Sequence, residues 1–302
     1  MVEYFIEWAP NPDPLYHDPS QSPQEMTIDP PLLDTPISVN GYMISLEHLV
    51  GGRAKKSFRR AAEENGINAV LDYPGPIIID SGGFQGTGDP PEKVLELQSS
   101  FSPDIVIQKD TVGDAAQTIS DAERTYELAG QYDFEVWYVV QGSSVEEYLD
   151  CATQLKEIGC EKFCLGNLVG RSFLRKTDEV SEIVEAVAEV VDGGNLHLLG
   201  VSNPGILQRI SEKIDSFDSS SAIRNATMLR EVYEWKNSGI EYHEKCDSRP
   251  QEFYCSCPVC DKFDVFTNEF ELEKYTGARR RVRQLRAIHN AWVIDQLAKS
   301  VS

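Results

Sequence analysis

A chain of 302 residues, 41% of them hydrophobic, is long enough for one large α/β domain or two small ones, and its composition excludes disordered and collagen-like classes. Its 49 acidic and 28 basic residues give a formal charge of −21, a balance that repels nucleic acid in dilute buffer but fits a salt-loving (halophilic) host, where the Debye length in molar salt is about 3 Å. No apolar run reaches the roughly 18 residues of a membrane helix, and the opening MVEYFIEWAPNPDP lacks the basic start and apolar stretch of a signal peptide; a cytoplasmic protein with no membrane partner is expected.

Residues 1–36, rich in Pro, Asp and Ser, read as an irregular N-terminal arm with at most one short strand near Tyr4–Trp8. From residue 37 to the end, short apolar runs alternate with amphipathic stretches. The strand-like runs are Ile37–Ile44, Ile77–Ser81, Ile105–Lys109, Val136–Gln141, Lys162–Gly166, Leu196–Val201 and Lys213–Asp218. Helical patterns cover 53–65, 90–99, 114–131, 144–158, 176–191, 203–212 and 222–237. This alternation implies βαβ units and a parallel sheet. Most of the runs end in residues able to do chemistry: Asp80, Asp110, Gln141, Gly166 with Asn167, Ser202 with Asn203, and Asp218. A doubly wound sheet gathers ligands at one switch point. Contributions from many strand ends fit the C-terminal face of a TIM (β/α)8 barrel better. The runs fall one short of eight, so the remaining strand is either irregular or lies in the N-terminal arm or the C-terminal region.

Asp110 and Asp218 close apolar strands, where a carboxylate is costly unless solvated or paired; helix capping is the bland alternative. Asp114, just before a helical stretch, reads as a cap. The turn Ser81-Gly82-Gly83-Phe84-Gln85 follows a buried strand, and its glycines permit close backbone approach to a flat ligand.

Of the seven cysteines, three fall in Cys255-Ser-Cys257-Pro-Val-Cys260. An odd count in a cytosolic chain argues against a disulfide framework. Spacings of two and three let the thiolates wrap one tetrahedral ion. Cys246, His243 and His289 are candidates for the fourth ligand. His289 is favoured because its stretch, RRRVRQLRAIHNAWVIDQL, is helical and rigid. A full Cys3His set leaves no open position, so the metal, Zn2+, reads as structural. A small zinc-binding subdomain is expected at about 243–290, within a barrel domain covering 37–302.

Together these pieces resemble the tRNA-guanine (queuine/archaeosine) transglycosylase family. DSGGFQ at 80–85 looks like its signature, VVQG at 139–142 and LGNLVG at 165–170 resemble its base-binding loops, and HLLGVSNP at 197–204 and SFD at 216–218 fall where the family carries a further loop and its aspartate nucleophile. The resemblance implies Asp218 as nucleophile and Asp80 as general acid/base, with Asp110 on the guanine edge. It implies base contacts from Ser81, Gln141, Gly166 and Asn167, and a sandwich of the ring between Phe84 and Leu199. Cys255, Cys257, Cys260 and His289 would hold the zinc. Arg224 and the basic cluster Arg279, Arg280, Arg281 and Arg283 would grip phosphates.

The chain departs from the family's pattern at Asn167, where a second glycine is usual, and at Ser219-Ser220-Ser221 after the nucleophile. The N-terminal 70 residues do not look like the tRNA enzymes, and SVNGYM at 38–43 with DSSS at 218–221 looks more like the DNA-modifying 7-deazaguanine branch. The expectation is therefore exchange of guanine in DNA for a free 7-deazaguanine base, with tRNA as the alternative substrate. A catalytically silent partner subunit is the alternative outside enzymes. The resemblance also makes a homodimer plausible.

Overall fold

The computed structural model describes residues 2–7, 39–51, 56–82, 88–173, 176–191, 195–237, 239–244, 248–261, 264–268 and 278–301. In chain order the elements are β1 (Glu3–Glu7), β2 (Gly41–Ser45), α1 (Leu46–Val50), α2 (Lys56–Asn65), α3 (Ile67–Leu71), β3 (Ile77–Asp80), α4 (Pro91–Ser99), β4 (Ile105–Ile107), α5 (Ala115–Ala129), β5 (Glu135–Val140) and α6 (Val145–Ile158). They continue with β6 (Phe163–Leu165), α7 (Val169–Phe173), α8 (Thr177–Val190), β7 (Leu196–Leu198), α9 (Pro204–Ile210), β8 (Ser216–Ser219), α10 (Ser221–Arg224), β9 (Val232–Lys236), β10 (Gly239–His243) and α11 (Ala278–Ser300).

Strands β1 to β8 run parallel in chain order and close into a barrel. The start of the N-terminal arm supplies the strand that completes the ring. Phe5 of β1 lies opposite Gly41 of β2 on one side and Asp218 of β8 on the other. Residues 8–38, the rest of the arm, lie outside the described residues.

Alternation along each strand divides the core in two. Phe5, Met43, Ile78, Ile105, Ile107, Val139 and Cys164, with Trp137 and Leu199 packed on them, fill the inside of the ring. Their neighbours in sequence, such as Tyr4, Ile6, Ile44, Ile77, Ile79, Val106, Leu165, Leu198 and Phe217, face outward and join the helices in the larger core. Carrying the same alternation one step toward the C-terminal ends brings Glu7, Ser45, Asp80, Gln141, Gly166, Leu199 and Asp218 to the inward rim. The apolar interior is thus a plug, and a polar ring lies above it.

Asp114 caps α5, its carboxylate accepting from the Gln117 amide at 3.0 Å. The expected helix over 222–237 is corrected by the structure. α10 runs into a π-helical turn at Asn225–Leu229, and Arg230 then takes a left-handed φ of 56°. Val232-Tyr-Glu-Trp-Lys236 continues as β9, paired antiparallel with β10. The β-branched and aromatic residues of that stretch favour a strand; their spacing also satisfies a helical repeat, which is why periodicity misplaces it. The run expected from Lys213 pairs only from Ser216, because Ser211–Lys213 form a 3-10 turn.

Candidate active site at the C-terminal rim of the barrel

Asp218 ends an inward face of β8 and is 3% exposed. Its Oδ1 accepts from the Gly200 amide at 2.9 Å and lies 3.1 Å from Nε2 of His197. Gly200 takes a φ of 71°, a left-handed conformation that suits glycine and turns its N–H toward the carboxylate. The other His197 nitrogen, Nδ1, is 2.8 Å from the Ser216 hydroxyl. A carboxylate beside Nε2 calls for an N–H there, so Nδ1 accepts from Ser216. Both donors fall on Oδ1, and Oδ2 accepts no hydrogen bond among the described residues. The carboxylate is therefore fixed through one oxygen.

Asp80 ends β3. Its Oδ1 accepts from the amides of Gly82 at 2.6 Å and Leu46 at 3.3 Å. Burial pushes its carboxyl up to about 6, and the bonds from Gly82, Ser45 and Leu46 hold it from rising further; the nearby Asp110 charge adds to the rise. Asp110 lies just past β4 with both oxygens engaged. Ser81 Oγ donates to Oδ1 at 3.0 Å, and Gln141 Nε2 donates to Oδ2 at 2.7 Å. Burial raises this carboxyl too, against the two donors that favour its charge. Gln141 is itself anchored, its Oε1 accepting from the Gly113 amide at 3.2 Å. Gly166 leaves it room: a Cβ there would stand 2.3 Å from Gln141 Nε2. These side chains form one braced set on adjacent strands, an acceptor surface shaped by its neighbours.

Asn167 adopts a φ of 58°, which asparagine tolerates. Its side chain turns back to donate to the Gly142 carbonyl at 3.1 Å, and its own carbonyl accepts from Arg171 at 2.8 Å. It therefore replaces a glycine's backbone shape and ties two rim loops together. Leu199 is half-buried on the apolar plug.

The second centre lies behind the ring. Nδ1 of His289 is 3.7 Å from the Cys255 sulphur, 3.2 Å from Cys257 and 3.4 Å from Cys260. Ligands at zinc–sulphur and zinc–nitrogen distances of about 2.3 and 2.0 Å on a tetrahedron stand about 3.6 Å apart, so the spacing suits one ion. His289 sits on α11 and Nε2 is 2.6 Å from the Tyr233 carbonyl of β9. That contact places the proton on Nε2 and leaves the Nδ1 lone pair facing the sulphurs. Amides of Cys257 and Cys260 donate to the sulphurs of Cys255 and Cys257, each at 3.3 Å. The four residues form a Cys3His cluster able to hold a metal ion.

Of the other candidates for the fourth position, Cys246 lies outside the described residues. His243 is turned away to Glu234, 2.8 Å from its carboxylate. Glu234, Glu241 and His243 also converge within ligand range of one another, with the Lys236 cation 4.0 and 3.3 Å from the two carboxylates offsetting part of their charge.

A family model described as queuine tRNA-ribosyltransferase matches residues 37–302. The chain belongs to the queuine tRNA-ribosyltransferase family. Relatives include the tRNA-guanine(15) transglycosylase of Pyrococcus furiosus, 28% identical over 301 residues, covering 92% of this chain and 47% of the relative. That of Aeropyrum pernix is 27% identical over 270 residues, covering 82% and 49%. That of Methanobrevibacter smithii is 26% identical over 279 residues, covering 83% and 38%. The chain spans about half the length or less of the curated relatives it matches.

Within this queuine tRNA-ribosyltransferase family chain, Asp80, Ser81, Asp110, Gln141, Gly166, Asn167, Leu199 and Asp218 share one rim. Phe84 lies outside the described residues, as do the side chains of Arg279, Arg280 and Arg281. Arg224 is exposed at the end of α10, beside the rim. Arg283 is half-buried on α11. Arg286, further along the same basic stretch, is fully buried and donates to the carbonyls of Val265 and Thr267, each at 2.7 Å, so it braces a loop. Sequence reasoning missed His197 and Glu7. The signal for His197 was one polar residue at an inward position of the apolar run LHL. For Glu7 it was a charge ending the apolar run YFI, hidden by reading the arm as irregular.

Proposed function

We propose that the chain is a guanine transglycosylase that exchanges a guanine in a nucleic acid for a free 7-deazaguanine such as 7-cyano-7-deazaguanine. The observation that carries this reading is the pairing, on one rim, of Asp218, whose Oδ2 accepts no hydrogen bond among the described residues, and Asp80, whose carboxyl is raised to about 6. Asp218 attacks C1′ through Oδ2. The C1′–N9 bond breaks, its electron pair leaves with the purine, and Asp80 supplies the proton. This forms an aspartyl–glycosyl ester. The incoming base gives its N9 proton back to Asp80 and attacks the same carbon, freeing Asp218. Two inversions retain configuration, and no ATP is required because the bond made resembles the bond lost.

The guanine edge offers the N1–H and N2–H donors, and Asp110, held by Ser81 and Gln141, supplies acceptors. Gly166, Asn167 and Leu199 complete the rim, with Phe84 as the second face of the sandwich. The target base has to be flipped out or offered unpaired. Cys255, Cys257, Cys260 and His289 hold a zinc ion, which supplies a structural crosslink. The thiolate-rich, closed donor set supports zinc in that role.

Relatives named for tRNA support tRNA as the substrate over DNA. Arg224 with the basic stretch of α11 is the proposed phosphate grip. The test is incorporation of labelled guanine, and of labelled 7-cyano-7-deazaguanine, into tRNA and into single- and double-stranded DNA, in molar salt. Label in tRNA is expected, and Asp218→Asn lowers the rate at least about a thousandfold. Label in DNA alone would transfer the proposal to the DNA-modifying branch. Release of guanine without exchange, or an undiminished Asp218→Asn variant, would overturn it.

A further inference from the structure

A buried histidine touches the nucleophile from inside the barrel. His197 is the middle residue of β7 and pairs across the sheet with Ser216 of β8. Ser216 and Asp218 are two residues apart on one strand, so their side chains leave the same inward face. One imidazole opposite Ser216 spans both: Nδ1 is 2.8 Å from the Ser216 hydroxyl and Nε2 is 3.1 Å from Asp218 Oδ1. The ring is wedged in the aromatic part of the plug. Its centroid lies 5.9 Å from that of Phe5, at 73°, and 5.1 Å from that of Trp137, at 49°. His197 and Asp218 are 2% and 3% exposed. Little solvent reaches the pair, so their hydrogen bond acts at low dielectric. The Gly200 amide donates to the same oxygen at 2.9 Å.

Resting on the transglycosylase reading, we infer that His197 is a positioning residue which, with the Gly200 amide, forms a two-donor cradle for the Asp218 carboxylate as it departs in the second half of the exchange. In the ester, Oδ2 carries C1′ and Oδ1 is a neutral carbonyl oxygen. The incoming base passes its N9 proton to Asp80, and its N9 electron pair forms the bond to C1′. The C1′–Oδ2 bond breaks, and its electron pair returns to Asp218 as carboxylate charge shared by both oxygens. Two N–H donors fixed on Oδ1 bind that charge more strongly than they bind an ester carbonyl. They therefore lower the barrier to ester breakdown, while they restrain the free carboxylate from attack. Ser216 donates to Nδ1 and so keeps the imidazole proton on Nε2, facing the nucleophile.

The experiment counts the ester directly. Detergent denaturation of turnover mixtures, with the nucleic acid that the wild-type chain labels, traps the covalent adduct of chain and nucleic acid. In His197→Phe the adduct fraction rises about tenfold or more, and its discharge by saturating 7-cyano-7-deazaguanine slows by a similar factor, because a donor to a charged acceptor is lost. His197→Gln, which returns an N–H near the Nε2 position, restores both. Adduct formation and discharge that fall together, or a Gln variant no better than Phe, would reduce His197 to a packing residue and overturn the inference. The second measurement is made on the wild-type chain and needs no activity. Nitrogen-15 NMR of labelled histidine, with the His197 signal identified by its loss in His197→Gln, is expected to show a protonated Nε2 beside an unprotonated Nδ1. Ser216→Ala is expected to populate the other tautomer as well. An Nε2 without a proton overturns the inference even where the Phe variant does not fold. A wild-type chain that forms neither adduct nor exchange product counts against the transglycosylase reading, while the tautomer decides the donor pair separately.

Discussion

At Asp80 the chain accepts instability in return for a proton near neutral pH. Its carboxyl is raised from 3.8 to about 6, so the folded state holds this proton more tightly than the unfolded chain. Stability from this group is therefore whole below about pH 4 and is lost as pH rises toward 6. Asp80→Asn removes the charge while keeping an oxygen for Gly82 and Leu46. We expect it to abolish exchange and to stabilise the fold by about 1–3 kcal/mol at pH 7, with little difference near pH 4. Urea unfolding of both proteins across that range measures it. Asp218 meets burial differently, with the Gly200 amide and His197 as fixed partners. These partners were not readable from strand-end position alone, because they come from a separate loop and strand.

The Cys3His cluster joins α11, β9 and the cysteine knuckle. His289 brings α11 to the cysteine knuckle and, through Tyr233, to β9. Beside it, the Asn290 side chain accepts from the Tyr233 amide at 2.9 Å and donates to the Glu231 carbonyl at 3.0 Å. Removing the metal, or replacing His289 by Ala, is expected to cost about 3–5 kcal/mol and lower the thermal midpoint by about 10 °C. Calorimetry with and without a chelator checks it. The knuckle could be read from spacing because thiolate ligation constrains sequence locally, and its histidine from the rigid helix that presents it. Seven barrel strands could be read because apolar runs ending in Asp or Gln mark a plug with a polar ring above. β1 was legible as the short strand near Tyr4–Trp8, its place in the ring left open by the Pro- and Asp-rich stretch that follows it, and β9 was obscured by a pattern compatible with both repeats. Glu7 was missed because a short strand with no assigned neighbours gives its side chains no assigned direction.

At the scale of the molecule, the charge of −21 opposes the proposed substrate. Most nucleic-acid proteins bind less well as salt rises, because they release counterions. Here repulsion between two polyanions is the larger factor, so exchange is expected to rise at least about tenfold from dilute buffer to molar potassium chloride. Initial rates at matched substrate concentrations would show it; a steady decline with salt would make the α11 basic stretch dominant and the acidic surface incidental. The barrel closure has a further consequence. Tyr4 and Ser219, 215 residues apart in sequence, meet where the first strand joins the last. A ribosome delivers β1 ahead of the other strands of the ring, and its second neighbour only after the other seven exist. Until then the nascent sheet carries two open edges, and the segment bearing Glu7 waits for the one bearing Asp218. The polar rim thus comes into being in the same event that seals the wall.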